Sequence, residues 1–196
     1  MTVTQTNPQP DQKLWPWAAA FGAYLVLMTA AVGLGAYDGA HPLVIFATIV
    51  VTIGVFIAAY ARIGAIRQFL DGLGPYGLAL FHAWRIIPGL AFVYYGAQGW
   101  LPTEFTNPAG WGDFAVGVLA LVLIFLPRTK LILGGFHLIG LVDLINAVST
   151  GIPIALVDQP SMQALGVLPM GLIPIIGVPL SAAIHLIAFY QLTRRP

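Results

Sequence analysis

The chain has 196 residues, of which 59% are hydrophobic and 8% charged, with a formal net charge of +1 and a mean hydropathy of +0.88. So little polar side chain cannot cover the surface of a soluble fold, and so small a net charge offers nothing to nucleic acid. The absence of cysteine excludes disulfides, thiolate metal sites, iron–sulfur clusters of the usual kind and covalent c-type haem.

Met1 to Lys13 is polar, carries two prolines and lacks the basic start and small-residue cleavage site of a secretory signal, so a disordered cytoplasmic tail is expected over residues 1–13. Residues 14–196 are expected to form one all-α domain, a polytopic membrane protein built as a bundle of six transmembrane helices. The first uncharged stretch, Trp15 to Ala36, is long enough to cross about 30 Å of hydrocarbon at roughly 1.5 Å per residue. Five more follow: Leu43 to Tyr60, Leu78 to Gly99, Phe114 to Leu126, Leu131 to Val148, and Leu168 to Leu192. The fourth is short for a span and is expected to begin near Trp111 or to sit where the bilayer thins.

Lys13, Arg62, Arg67, Arg128, Lys130, Arg194 and Arg195 fall on the tail, the even loops and the C-terminus, whereas the odd loops carry Asp38, Glu104 and Asp158. The positive-inside rule then puts both termini in the cytoplasm. Between the second and third spans, Ile63, Ile66, Leu70 and Leu73 recur at helical spacing and predict a short helix in the inner interface. The outer segment from Gly99 to Asp113 is rich in Trp, Pro and Gly and reads as an ordered cap, with Asp113 as the N-cap of the fourth span and His41 as a solvated loop residue. Pro169, Pro174 and Pro179 should bend or interrupt the start of the last span.

No motif names an enzyme, and the sequence leaves open whether the chain is one. Gly72, Gly74 and Gly77 match a dinucleotide-binding glycine pattern, but they precede a membrane span and follow no strand, so they are read as a turn. What remains is the polar content of the spans, which is costly in hydrocarbon. Counted from the inner ends, His82 and His137 lie about 10 Å deep, His185 about 13 Å and Arg85 about 15 Å. Each histidine stands on a face of small residues, Gly89 and Gly96 for His82, Gly134 and Gly140 for His137, Gly177, Ser181 and Ala188 for His185. Imidazoles at one depth on three spans suit haem b or a divalent metal, and glycines beside them would make room for a planar macrocycle.

Farther out, Asp143 and Asn146 are i, i+3 partners about 20 Å or more from the inner surface, at a height that Tyr94 and Tyr95 also reach. Arg85 is expected to pair with Asp143, since each would otherwise be a lone charge in hydrocarbon. Three readings follow: a haem- or metal-binding membrane protein using His82, His137 and His185; a small-solute or proton transporter or channel using Arg85, Asp143, Asn146, Tyr94 and Tyr95; and a non-catalytic accessory subunit. The partners expected are the lipid bilayer and another membrane protein or a second copy of the chain, and not nucleic acid.

The order Arg85-Ile-Ile-Pro-Gly89, Gly99-Trp-Leu-Pro102, Ala109-Gly-Trp-Gly-Asp113 and Gly140-Leu-Val-Asp143 covers about the middle third of the chain. It resembles small uncharacterised six-span proteins of the bacterial inner membrane. The resemblance implies that location and no activity, and no functional residue is carried over from it.

Overall fold

The structure is a computed structural model that describes residues 13–194. Except for Lys13, the tail expected over residues 1–13 lies outside the described residues, as does Arg195. The described residues are helical, with no strand among them: α1 (Trp15–Gly33), α2 (Pro42–Arg62), α3 (Gly64–Phe81), α4 (Ile86–Ala97), α5 (Thr103–Val122), α6 (Lys130–Val157) and α7 (Val178–Arg194). A 3-10 turn, His82–Arg85, joins α3 to α4, and a π-helical turn, Ile173–Gly177, leads into α7. Joined in this way, the helices make six runs long and apolar enough to cross a membrane: Trp15–Gly33, Pro42–Arg62, Gly64–Ala97, Thr103–Phe125, Lys130–Val157 and Ile173–Arg194. This architecture fits a multi-pass membrane protein, and the large apolar side chains left on the surface, such as Val26, Val51, Ile87, Leu131 and Val142, fit contact with lipid.

The starts of these helices follow from local chemistry. Pro42 opens α2 at a position where its missing N–H is not needed, and His41 caps that helix, its Nδ1 accepting from the Leu43 N–H at 3.3 Å. His41 is therefore a cap and not merely a solvated residue. Thr129 caps α6 through the Ile132 N–H at 3.3 Å. The helix expected over residues 63–73 is the first part of α3. It stops at Gly74, whose φ of 64° is open to glycine alone at low cost, and Pro75 starts the next turn. The Leu70 carbonyl accepts from the Gln191 amide at 3.1 Å, which ties α3 to α7.

Two expected boundaries change. The fourth span starts at Thr103, so most of the expected outer cap is helix and only the stretch around Gly99–Pro102 turns. Counting apolar residues stops at Asp113 because the carboxylate breaks the run, yet that carboxylate is paired inside the bundle. The fifth span extends to Val157 for a similar reason, its later polar side chains at Ser149 and Thr150 being carried by an uninterrupted helix.

Helix α5 is central, packed on α4, α6 and the 3-10 turn, while α7 lies against α2, α3 and α6 and is the most buried run. Glycines allow the closest approaches. A Cβ on Gly89 would lie 2.5 Å from the Phe114 nitrogen and 2.8 Å from the Gly110 carbonyl oxygen, so α4 and α5 touch backbone to backbone. Helix α1 is peripheral and buries only Val32.

Candidate functional site: a buried histidine trio beside a shared-carboxylate ion pair

The 3-10 turn sets the site. With 3.0 residues per turn, His82 and Arg85 align on one face, and both point inward with 0% and 1% exposure. Across from them, α6 presents His137, Gly140 and Asp143 at steps of three, and α7 supplies His185. His137 and His185 are also 0% exposed.

The three imidazoles converge, one ring nitrogen from each lying within 4.8 Å of the others. The rings of His82 and His185 stack with centroids 3.8 Å apart and an interplanar angle of 3°. His137 Nδ1 lies 2.9 Å from His185 Nδ1, and His137 Nε2 lies 3.1 Å from the Pro75 carbonyl oxygen. These partners assign the tautomers. A carbonyl only accepts, so His137 carries its proton on Nε2 and donates to Pro75; its Nδ1 then accepts from the His185 Nδ1–H. His185 Nε2 is left as a bare lone pair, and among the described residues it has no partner. Both nitrogens of His82 are likewise unpartnered there. A buried polar atom without a partner costs about 1–3 kcal/mol, and three such nitrogens lie within this one knot of side chains.

Four of the five glycines expected to flank a macrocycle are filled by the chain itself, Gly134 being the exception. A Cβ on Gly140 would collide with the His185 ring, and one on Gly177 would lie 2.5 Å from Trp84 Cη2. Gly89 and Gly96 face α5.

Arg85 faces two carboxylates. Its Nε donates to Asp113 Oδ1 at 2.5 Å, its Nη2 is paired with Asp143 Oδ2, and its Nη1 donates to the Gly140 carbonyl at 3.3 Å. Gly140 thus backs both halves of the site, with its Cα against His185 and its carbonyl on Arg85. The expected Arg85–Asp143 contact is present. Asp113, expected as an N-cap, instead lies in the middle of α5, where Pro102 holds the cap position. The signal that would have found it lies in its company: a fourth span of ordinary length has to start near Thr103, which carries Asp113 into the bundle alongside an arginine with room for a second acceptor.

Asn146, Tyr94 and Tyr95 stand apart from this cluster. Asn146 is exposed, and Tyr94 and Tyr95 pack edge-on against Trp100, at 5.8 and 5.1 Å between centroids.

Residues 40–193 match a protein family described as a domain of unknown function (DUF8737), and the chain belongs to that family. The match takes in α2 to α7 and leaves α1, the peripheral helix, outside. No curated protein and no solved structure matches the chain.

Proposed function

We propose that this protein is a multi-pass membrane protein that binds a divalent transition-metal ion inside its bundle through His82 and His185, with His137 holding His185 in the binding tautomer. The observation that carries this is the set of three unpartnered imidazole nitrogens in a fully buried trio. Neutral imidazole is a good ligand for zinc, copper, iron and nickel, and a ligand histidine commonly gives its other N–H to an acceptor that fixes its orientation. The relay from the Pro75 carbonyl through His137 to His185 is such a support.

An ion lies in the plane of each ring that binds it, at about 2.0–2.1 Å from nitrogen for zinc. Parallel rings 3.8 Å apart cannot both meet that condition. His82 has no hydrogen bond to lose and is the ring that turns; His137 becomes a third ligand if its bond to His185 is given up. The close stack favours a single ion over haem b, because a macrocycle needs open space between two axial rings. The unpartnered nitrogens also count against a purely accessory bundle, in which the polar groups would satisfy one another.

The location that goes with this reading is the bacterial inner membrane, with both termini in the cytoplasm. Its support is the charge pattern, together with contacts that group the loops by end. Arg128 lies over the Tyr76 ring at 3.8 Å at one end, and Gln163 donates to Asp38 at 2.8 Å at the other.

Metal analysis of protein purified without chelator should find one ion per chain, and a cobalt titration of stripped protein should produce a visible ligand-field band. His82→Gln and His185→Gln should remove the ion, whereas His137→Gln should weaken binding by about 10–100-fold, as loss of an orienting partner does. Protein that retains its helical spectrum and binds no metal, or binds it equally in His82→Gln, would refute the reading.

A further inference from the structure

A second feature lies on the far side of Arg85. Helices α2 and α6 and the segments Gln159–Gly166 and Ile173–Gly177 line a half-open cavity of about 260 Å³. Phe46, Ile49, Phe92, Phe105 and Met162 line it, and Asp113 is the one charged residue in its wall among the described residues. A dry apolar cavity of about 150 Å³ is enough for a benzene ring, so this space accommodates a ring with a small substituent. The polar amides in the wall are already engaged. Gln159 donates to the Gly39 carbonyl at 2.7 Å and Gln163 to Asp38 at 2.8 Å, so the carboxylate of Asp113 is the charged group in the wall that faces a ligand.

The charge balance says what kind of ligand. One guanidinium serves two carboxylates, so with all three ionised the cluster carries one excess negative charge inside the bundle. Such a charge is held at a cost unless a cation joins it. Arg85 is sealed, with 1% of its side chain exposed, while the side chains of Asp113 and Asp143 keep 10% and 11%. Asp113 gives Oδ1 to Arg85, and among the described residues its Oδ2 accepts no hydrogen bond. An uncommitted carboxylate oxygen at the wall of an aromatic, apolar cavity matches a charged nitrogen attached to an apolar body, since ring faces and the carboxylate attract the same pole.

We propose that this cavity binds a small organic cation, a protonated amine or quaternary ammonium compound, with its charge against Asp113 and its apolar part among Phe46, Ile49 and Phe105. The site is separate from the histidine trio and does not depend on the metal.

The full chain in lipid nanodiscs, with chelator present, is titrated calorimetrically with benzyltrimethylammonium and with benzyl alcohol as a neutral control. The cation should bind saturably at one site per chain, at least tenfold more tightly than the alcohol. Asp113→Asn should weaken it at least tenfold, and Ala147→Leu, which puts a larger side chain into the cavity wall, should abolish it. No saturable binding, equal binding of the alcohol, or binding unchanged in either folded variant would overturn the proposal. Should Asp113→Asn not fold, wild-type thermal unfolding decides: the cation must raise the midpoint and the alcohol must not.

Discussion

At the level of single residues, the ion-pair cluster makes an asymmetric prediction. Arg85 is the shared partner, so Arg85→Gln strands two carboxylates, whereas Asp143→Asn leaves Arg85 still paired with Asp113. Removing one partner of a buried pair typically costs about 3–5 kcal/mol, and the arginine change should lie at or above that range. Asp143→Asn should cost clearly less, since it also removes the excess negative charge. Thermal unfolding in detergent orders the variants, and equal costs would mean that no excess charge is present. Gly112 adds a local test. A Cβ there would run into the Asp143 carboxylate, so Gly112→Ala should push Asp143 off Arg85 and lose stability by a similar mechanism. How much of this cluster is legible in the sequence differs by residue. Arg85 and Asp143 stand out because each is a charge inside an apolar run. Asp113 is hidden because it sits where the apolar run begins, and Gly112 carries no chemistry of its own to notice.

At the level of elements, two short departures from α geometry shape the interior. The 3-10 turn brings His82 and Arg85 into register, and in the π-helical turn before α7 the Ile175 carbonyl, left without an i+4 donor by Pro179, accepts from the Tyr24 hydroxyl at 3.3 Å and fastens α1. The prolines announce an interruption at the start of the last span, as the π turn shows. The other is announced only from beyond the turn, by Pro88, which has no N–H for the Trp84 carbonyl. Helix packing gives a sharper measurement. Gly89→Ala would place a methyl group within 2.5–2.8 Å of backbone atoms on α5, which cannot yield as a side chain can, and should destabilise by about 1–3 kcal/mol. A methyl group added at Gly54 on α2 would meet nothing within 4 Å, so Gly54→Ala should be neutral or stabilise by up to about 1 kcal/mol. A gain at both positions would show that helix propensity, and not the α4–α5 contact, governs the response.

For the whole molecule, hydropathy reveals the six runs long and apolar enough to cross a membrane but misplaces several ends, since polar groups that are satisfied by one another look like loop to a count of apolar residues. The order of the helices in space is not legible, because lipid-facing and core-facing positions are both apolar and α1 reads as strongly as α7. Topology is where composition says most. Lys13, Arg62, Arg67, Arg128, Lys130 and Arg194 all lie at the ends that six antiparallel crossings bring together, and Asp38, Glu104 and Asp158 lie at the opposite ends. That asymmetry predicts cytoplasmic termini. The chain has no cysteine, so single-cysteine variants need no background removed. In intact cells, a membrane-impermeant thiol reagent should label a cysteine at Asp38 or Asp158 and leave one at Arg128 or Arg194 untouched until the membrane is opened. Labelling at Arg128 in sealed cells would invert the orientation. It would place the histidine trio toward the outside and the Asp113 cavity toward the cytoplasm, so the same four variants decide from which side each site is reached.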